Sequence, residues 1–188
     1  MAPSLFILGG ARSGKSRFAV ADPALSGRVA FVATAEPRDA DMARRIARHR
    51  AERPAAWTTV EAPLELVARL GEAVGTHDAV VVDCLTLWVG NRLLRGDEDA
   101  LVLAEADRLA ALVRRAACRL TLVSNEVGAG VHPETGLGLR FRDLLGFVNQ
   151  RVAAACDRVV LMVAGLPLVL KAPADTPRVA DDGAVQAP

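Results

Sequence analysis

Lysine is almost missing from this sequence. Lys15 and Lys171 are its only lysines, and nearly all positive charge rests on arginine. Neither sign of charge is in excess: the net charge is +1, which argues against a general nucleic-acid or membrane-surface role. No apolar run reaches the ~18 residues of a membrane span. The N-terminal apolar run, Leu5 to Leu8, is too short for a signal peptide and lacks the charged start and cleavage site. Cysteine is scarce. Cys84, Cys118 and Cys156 are widely spaced, with no CxxC or Cys/His pattern that suggests zinc. Their odd number fits a reducing cytoplasm, which is the expected location. What is plentiful is apolar. Hydrophobic residues make up 52% of 188, enough for a sizeable core in one domain.

The apolar residues come in an alternating pattern. β-Branched, apolar runs at Leu5–Leu8, Val29–Ala33, Ala79–Asp83, Leu120–Ser124, Val159–Val163 and Leu166–Lys171 predict strands. Helical spacing falls between them, at Lys15–Ala21, Asp39–Glu52, Pro63–Gly71, Leu101–Ala117 and Leu139–Cys156. Strands apolar throughout are buried on both faces, as in a parallel sheet flanked by helices. The alternation implies right-handed βαβ units. No internal repeat or linker divides the chain, so residues 1–171 are read as one domain. The segment 172–188, rich in Ala, Pro and Asp, is expected to be a disordered tail.

The first strand runs into "GGARSGKS". Gly9, Gly10, Ala11, Arg12, Ser13, Gly14, Lys15 and Ser16 satisfy G-x4-G-K-[ST]. The glycines let backbone N–H groups cradle phosphate oxygens. Lys15 reaches the outer phosphates, and the Ser16 hydroxyl is placed for Mg2+. The helix that follows aims its positive end at the same charge. The expected fold is therefore a three-layer α/β domain of P-loop NTPase type with a mostly parallel sheet. Such a site needs a second carboxylate near the metal. Asp83 ends the run "AVVVD", at the strand end where α/β sheets place ligands. It also reads as a helix N-cap.

"DMARRIARHRAERP" is less ordinary. Ala43, Ile46, Ala47 and Arg50 share one stripe of the expected helix, and on the next His49 has Arg45 and Arg53 one turn away on either side. One reading is a solvated basic face. The other is a triphosphate-gripping face with an embedded nucleophile, where flanking cations favour the neutral imidazole and guanidiniums hold phosphate oxygens bidentately. His77 reads as solvated, and His132, in a loop, is weak evidence for a ligand contact. Glu61 closes the extended "WTTVE". Its carboxylate can accept two N–H bonds from a guanine edge, or it is an exposed strand-end glutamate.

The ordered set "LGGARSGKSRFA", "VATAEP", "RIARHRAERPAAW", "TVEAPLEL", "VVDCLTLWVGN", "SNEVGAG", "RFRDLLGFVNQ" and "AGLPLVLK" resembles the bifunctional adenosylcobinamide kinase/adenosylcobinamide-phosphate guanylyltransferase family of cobalamin biosynthesis. The resemblance runs from about Leu5 to Lys171. It implies two reactions. A nucleoside triphosphate, ATP or GTP, phosphorylates adenosylcobinamide. GTP then gives GMP to adenosylcobinamide phosphate through a GMP-histidine intermediate, releasing pyrophosphate and forming adenosylcobinamide-GDP. The motif RI-x2-HR-x2-RP puts that histidine at His49. By the same match the GTP contacts are Gly9 to Ser16, Thr34, Ala35 and Glu36, Arg50, Ala51, Glu52 and Arg53, Glu61 and Asp83. Lys15 joins His49 as catalytic, and Ser16 and Asp83 hold Mg2+. The resemblance also implies a homotrimer, with Arg140, Arg142 and Asp143 opening a helix that packs on another subunit. Asn125 and Glu126 face the cleft with no assigned role.

The chain departs from the family's usual pattern at Pro23, which cuts the first helix short, at His132, where an apolar residue is usual, and at Cys156, where a small one is. None touches the P-loop, Asp83 or His49. From the residues alone, a P-loop kinase for another hydroxylated metabolite and a non-catalytic nucleotide switch remain as alternatives. A switch needs no nucleophilic histidine.

Overall fold

The computed structural model describes residues 3–173. In chain order its elements are β1 (Ser4–Gly9), α1 (Lys15–Val20), β2 (Val29–Ala33), α2 (Ala40–Ala51) and β3 (Thr58–Glu61). There follow α3 (Leu66–Thr76), β4 (Ala79–Asp83), α4 (Leu85–Arg95) and α5 (Asp99–Arg115). The last are β5 (Arg119–Val123), α6 (Gly136–Ala155), β6 (Arg158–Val163) and β7 (Leu166–Lys171). The strands form a single sheet in the order β3-β2-β4-β5-β1-β6-β7. All neighbours are parallel except β6 and β7, which pair antiparallel. Ala164 and Gly165 join that pair with positive φ, 52° and 85°, as a two-residue hairpin requires.

Because strand side chains alternate between faces, the sheet divides its core in two. Phe6, Leu8, Ala30, Val32, Val80, Val82, Leu120 and Leu122 face a large cluster completed by α3, α4, α5 and α6. Leu5, Ile7, Phe31, Val81, Val123 and Val160 face a smaller cluster completed by α1. Helices on both faces of a mostly parallel sheet make the three-layer α/β arrangement expected from the alternation. β1 is buried at every position, as its central place demands.

Two helices differ from the sequence reading. α4 is missing from the helical patterns read in the sequence, although the N-cap reading of Asp83 pointed to a helix there; the N-cap is Cys84, not Asp83, with no side-chain capping bond. Leu85, Thr86, Trp88, Val89, Asn91, Arg92 and Leu93 are all buried. A helix enclosed on so many sides loses the polar stripe that would mark its period. α3 was expected to start at Pro63 and stop near Gly71. Instead the carbonyls of Pro63 and Leu64 are taken by Asn91 Nδ2 at 3.0 Å and Trp88 Nε1 at 2.9 Å, and the helix begins at Leu66. It continues past Gly71 because Leu70 and Ala73 are buried in the core.

The expected tail disorder concerns residues that, from 174 on, lie outside those described. No helix among the described residues is long and apolar enough to cross a membrane.

Candidate functional site

The parallel register builds one wall of the site. Ala33 pairs with Glu61 on one side and with Asp83 on the other. Paired residues point to the same face, so both carboxylates project from the carboxyl end of the sheet toward the side covered by α1. Strand spacing puts them roughly 10 Å apart, with Ala33 between.

The P-loop follows β1. Gly9 has φ 151°, and a Cβ there would lie 2.6 Å from the Met162 carbonyl oxygen and 2.6 Å from Ser13 Oγ. Only glycine fits. The loop is tied to its neighbours through the backbone: Glu126 N–H donates to the Gly9 carbonyl at 3.1 Å, and Gly165 N–H to the Ser13 carbonyl at 3.1 Å. The β5 end and the β6–β7 hairpin thus brace the loop on either side. Gly14, left-handed at φ 95°, precedes α1. Lys15 is buried, with Nζ donating to the Gly10 carbonyl at 2.5 Å and lying 3.5 Å from Ser13 Oγ. Burial pulls its ammonium below the ordinary lysine range. Cys84 and Asp83 oppose that shift, and Arg45 reinforces it.

α2 supplies the opposite wall. Asp39 caps it, its carboxylate accepting from Met42 N–H at 2.7 Å. Met42, Arg45, Ile46, His49, Arg50 and Arg53 line a pocket together with Ser16, Ala33, Ala35, Thr59, Glu61, Asp83, Cys84 and Leu87. His49 therefore shares one concavity with the P-loop serine and with both carboxylates. Of the stripe Ala43, Ile46, Ala47 and Arg50, Ile46 and Arg50 line the pocket and the two alanines are exposed; the half-buried residues of α2 are Met42, Ile46 and His49. Arg53 stacks on Phe31, with its guanidinium carbon 3.3 Å from the ring centroid. Burial lowers the Arg53 guanidinium from its usual value, Asp83 opposes that, and Arg50 adds to it.

Several expected contacts sit elsewhere. Thr34 is fully buried, and its Oγ donates to the Cys84 carbonyl at 2.7 Å and accepts from the Cys84 amide at 2.8 Å. Its side chain holds the tip of β4. Glu36 accepts both Nε and Nη2 of Arg38, at 2.9 and 2.8 Å. Ala51 and Glu52 are exposed and do not line the pocket; Glu52 lies 3.9 Å from Arg48. Asn125 gives its N–H to Thr86 Oγ1 at 2.7 Å and its carbonyl to Asn149 Nδ2 at 3.0 Å. Glu126 accepts from Gly128 N–H at 2.8 Å. His132 Nδ1 lies 2.9 Å from Arg142 Nη1. Arg140, expected to serve a subunit contact, donates within its own chain to Asp99 at 2.6 Å and to the Asp97 carbonyl at 2.7 Å.

The Cys84 thiol, beside Asp83, is pushed up to about 12, first by burial and then by that carboxylate. It stays protonated and is no nucleophile. Among the described residues no group of three His, Cys, Asp or Glu could hold a metal. Ser16 and Asp83 offer two hard oxygens in one pocket. That suits Mg2+, which takes few protein ligands and fills its shell with phosphate oxygens and water. Arg38 had no mark in the sequence, and Asn91 only closed the quoted "VVDCLTLWVGN" with no role of its own. Their partnership joins segments distant along the chain, and only the fold brings them together.

Comparison with known proteins gives a consistent picture. A family model described as cobinamide kinase / cobinamide phosphate guanyltransferase matches residues 5–170. The chain is 48% identical over 166 residues to a bifunctional adenosylcobalamin biosynthesis protein of Pseudomonas aeruginosa, covering 88% of this chain and 95% of that protein. It is 38% identical over 179 residues to a bifunctional adenosylcobalamin biosynthesis protein of Escherichia coli, covering 89% and 99%. A solved structure from Pyrococcus horikoshii OT3 resembles it with a TM-score of 0.55 at 8% identity, covering 92% of this chain and 88% of that one. That last likeness concerns the fold alone.

Proposed function

Because this chain belongs to the cobinamide kinase / cobinamide phosphate guanyltransferase family, we propose that it carries out both reactions, with His49 as the residue that becomes guanylylated. In the kinase step ATP or GTP phosphorylates the hydroxyl of adenosylcobinamide. In the transfer step GTP yields GMP to adenosylcobinamide phosphate, giving adenosylcobinamide-GDP and pyrophosphate. The observation that carries this reading is the shared pocket of His49, Ser16, Glu61 and Asp83. A nucleotide switch has no need of a histidine in such a place.

The P-loop amides of Gly9 to Ser16 would cradle the phosphates, with Lys15 swinging from the Gly10 carbonyl to the outer oxygens. Glu61, on the edge strand, is available for the guanine edge. The imidazole of His49 attacks the α-phosphorus in line. An N–P bond forms as the bond from that phosphorus to the bridging oxygen breaks, and pyrophosphate leaves with the electron pair. Lys15, Arg45, Arg50 and Arg53 are placed to take up the charge that moves onto the leaving oxygens. An oxygen of the acceptor phosphate then attacks the same phosphorus, and the imidazole leaves neutral. Mg2+, held by Ser16 and Asp83, would supply charge neutralisation at the phosphates. The resemblance further implies a homotrimer in the cytoplasm. The exposed apolar β7 (Leu166, Leu168, Val169, Leu170) is a surface such an assembly would cover.

Incubation with α-labelled GTP and Mg2+ followed by denaturation tests the transfer mechanism. Label should stay on the protein, be released by acid as from a phosphoramidate, and vanish in His49→Ala. A wild-type protein that takes no label refutes the mechanism. His49→Ala should retain ATP-dependent phosphorylation of adenosylcobinamide.

A further inference from the structure

α2 carries His49 yet contains no buried residue. Packing along its length does not fix its place, so its two ends must. At the C-terminal end Arg53 lies on Phe31. At the N-terminal end Arg38 immediately precedes the Asp39 cap. Arg38 grips Glu36 with two nitrogens, and its Nη2 also donates to Asn91 Oδ1 at 3.0 Å.

Asn91, on α4, is only 6% exposed. Its Nδ2 donates to the Thr34 carbonyl at 2.8 Å and to the Pro63 carbonyl at 3.0 Å. These bonds decide how the amide is turned. Reversed, it would set its oxygen against two carbonyls and its NH2 against a guanidinium. The Oδ1 atom must therefore face Arg38, and it demands a donor there. One side chain thus registers the end of β2, the segment that follows Glu61, and the linker into α2. The ion pair with Glu36 does not account for the arginine. The Arg38–Glu36 pair is 41% and 33% exposed, and ion pairs in such settings contribute little.

We propose that Arg38, held by Asn91, is a positioning residue for guanylyl transfer: it sets how α2 leaves the sheet and hence where His49 stands relative to the α-phosphorus. The proposal rests on His49 being the guanylylated residue. It assigns Arg38 no part in the kinase step, which does not use the imidazole.

The test is single-turnover capture of α-labelled GTP, alongside the kinase reaction with ATP and thermal unfolding. At saturating GTP, Arg38→Ala should lower the labelling rate constant by about 10- to 100-fold, as expected for a displaced nucleophile. The GTP concentration for half-saturation and the kinase rate should stay close to wild type; the melting temperature should fall by only a few degrees, since one acceptor, Asn91 Oδ1, loses its donor at a place the missing arginine opens to water. Arg38→Lys keeps the charge but cannot fork between Glu36 and Asn91, so its rate should fall between the two. Equal labelling rates in wild type and Arg38→Ala overturn the proposal alone. Parallel loss of both reactions with a lower melting temperature overturns it too, since that marks a structural role. Absence of label on the wild type overturns the histidine mechanism and this inference with it.

Discussion

Replacing Thr34 by valine asks whether a side chain from β2 holds the tip of β4. Valine keeps the shape and removes both hydrogen bonds to Cys84. The site is fully buried, so water cannot replace them. The Cys84 carbonyl keeps the Trp88 N–H at 3.3 Å, but the Cys84 N–H is left without a partner, which costs about 1–3 kcal/mol. That is a sizeable share of the roughly 5–15 kcal/mol that holds a typical domain. Thr34→Ser separates the hydroxyl from the methyl. It keeps both bonds and loses one buried methyl, for about 1 kcal/mol. Urea unfolding followed by far-UV circular dichroism reads both variants, with the slope checked for constancy. Asp83 precedes Cys84, so in the valine variant the Mg2+-dependent rates of both reactions should fall together. A valine variant within about 0.5 kcal/mol of wild type, the scatter of ordinary surface substitutions, would show that the clamp is not what holds β4.

Gly9→Ala should abolish nucleotide binding in a calorimetric titration, because its Cβ meets the Met162 carbonyl; Gly75→Ala on α3, with nothing within 4 Å, should bind normally, and equal behaviour of the pair contradicts the packing argument. Asp157 anchors β1, and its carboxyl is held below the ordinary carboxylate range by the Ser4 amide first and the Ser4 hydroxyl second. Its folded-state value is depressed, so its stabilisation is complete above the unfolded value of 3.8 and is lost as pH falls through the folded one. The gap in melting temperature between wild type and Asp157→Asn should therefore be constant near neutrality and shrink below pH 3.8; a gap that persists in acid removes Asp157 as the cause.

Much of the fold was legible because its signals are local. The strands of a doubly covered parallel sheet are apolar runs, and β1, β2, β4, β5 and β6 were each visible as one. The P-loop is a contiguous motif whose glycines have a steric reason. α4 escaped because burial on most sides erased its period, and α3 slipped because Trp88 and Asn91 claim the carbonyls that would have begun it. At the site, Glu61 and Asp83 were visible as strand-end carboxylates. Thr34 was named by the family match; that its hydroxyl is spent on Cys84 is something position along a strand does not reveal.

The sequence by itself determined the layered α/β fold, the phosphate loop and the family, since each rests on residues adjacent or periodic along the chain. Only the tertiary structure decided that His49, Ser16, Glu61 and Asp83 line one pocket. It alone showed Thr34 serving Cys84, and one buried asparagine tying the approach of α2 to two strand ends. These depend on strand register and on side chains meeting from segments far apart in the chain. Contacts of that kind leave no period and no spacing to read.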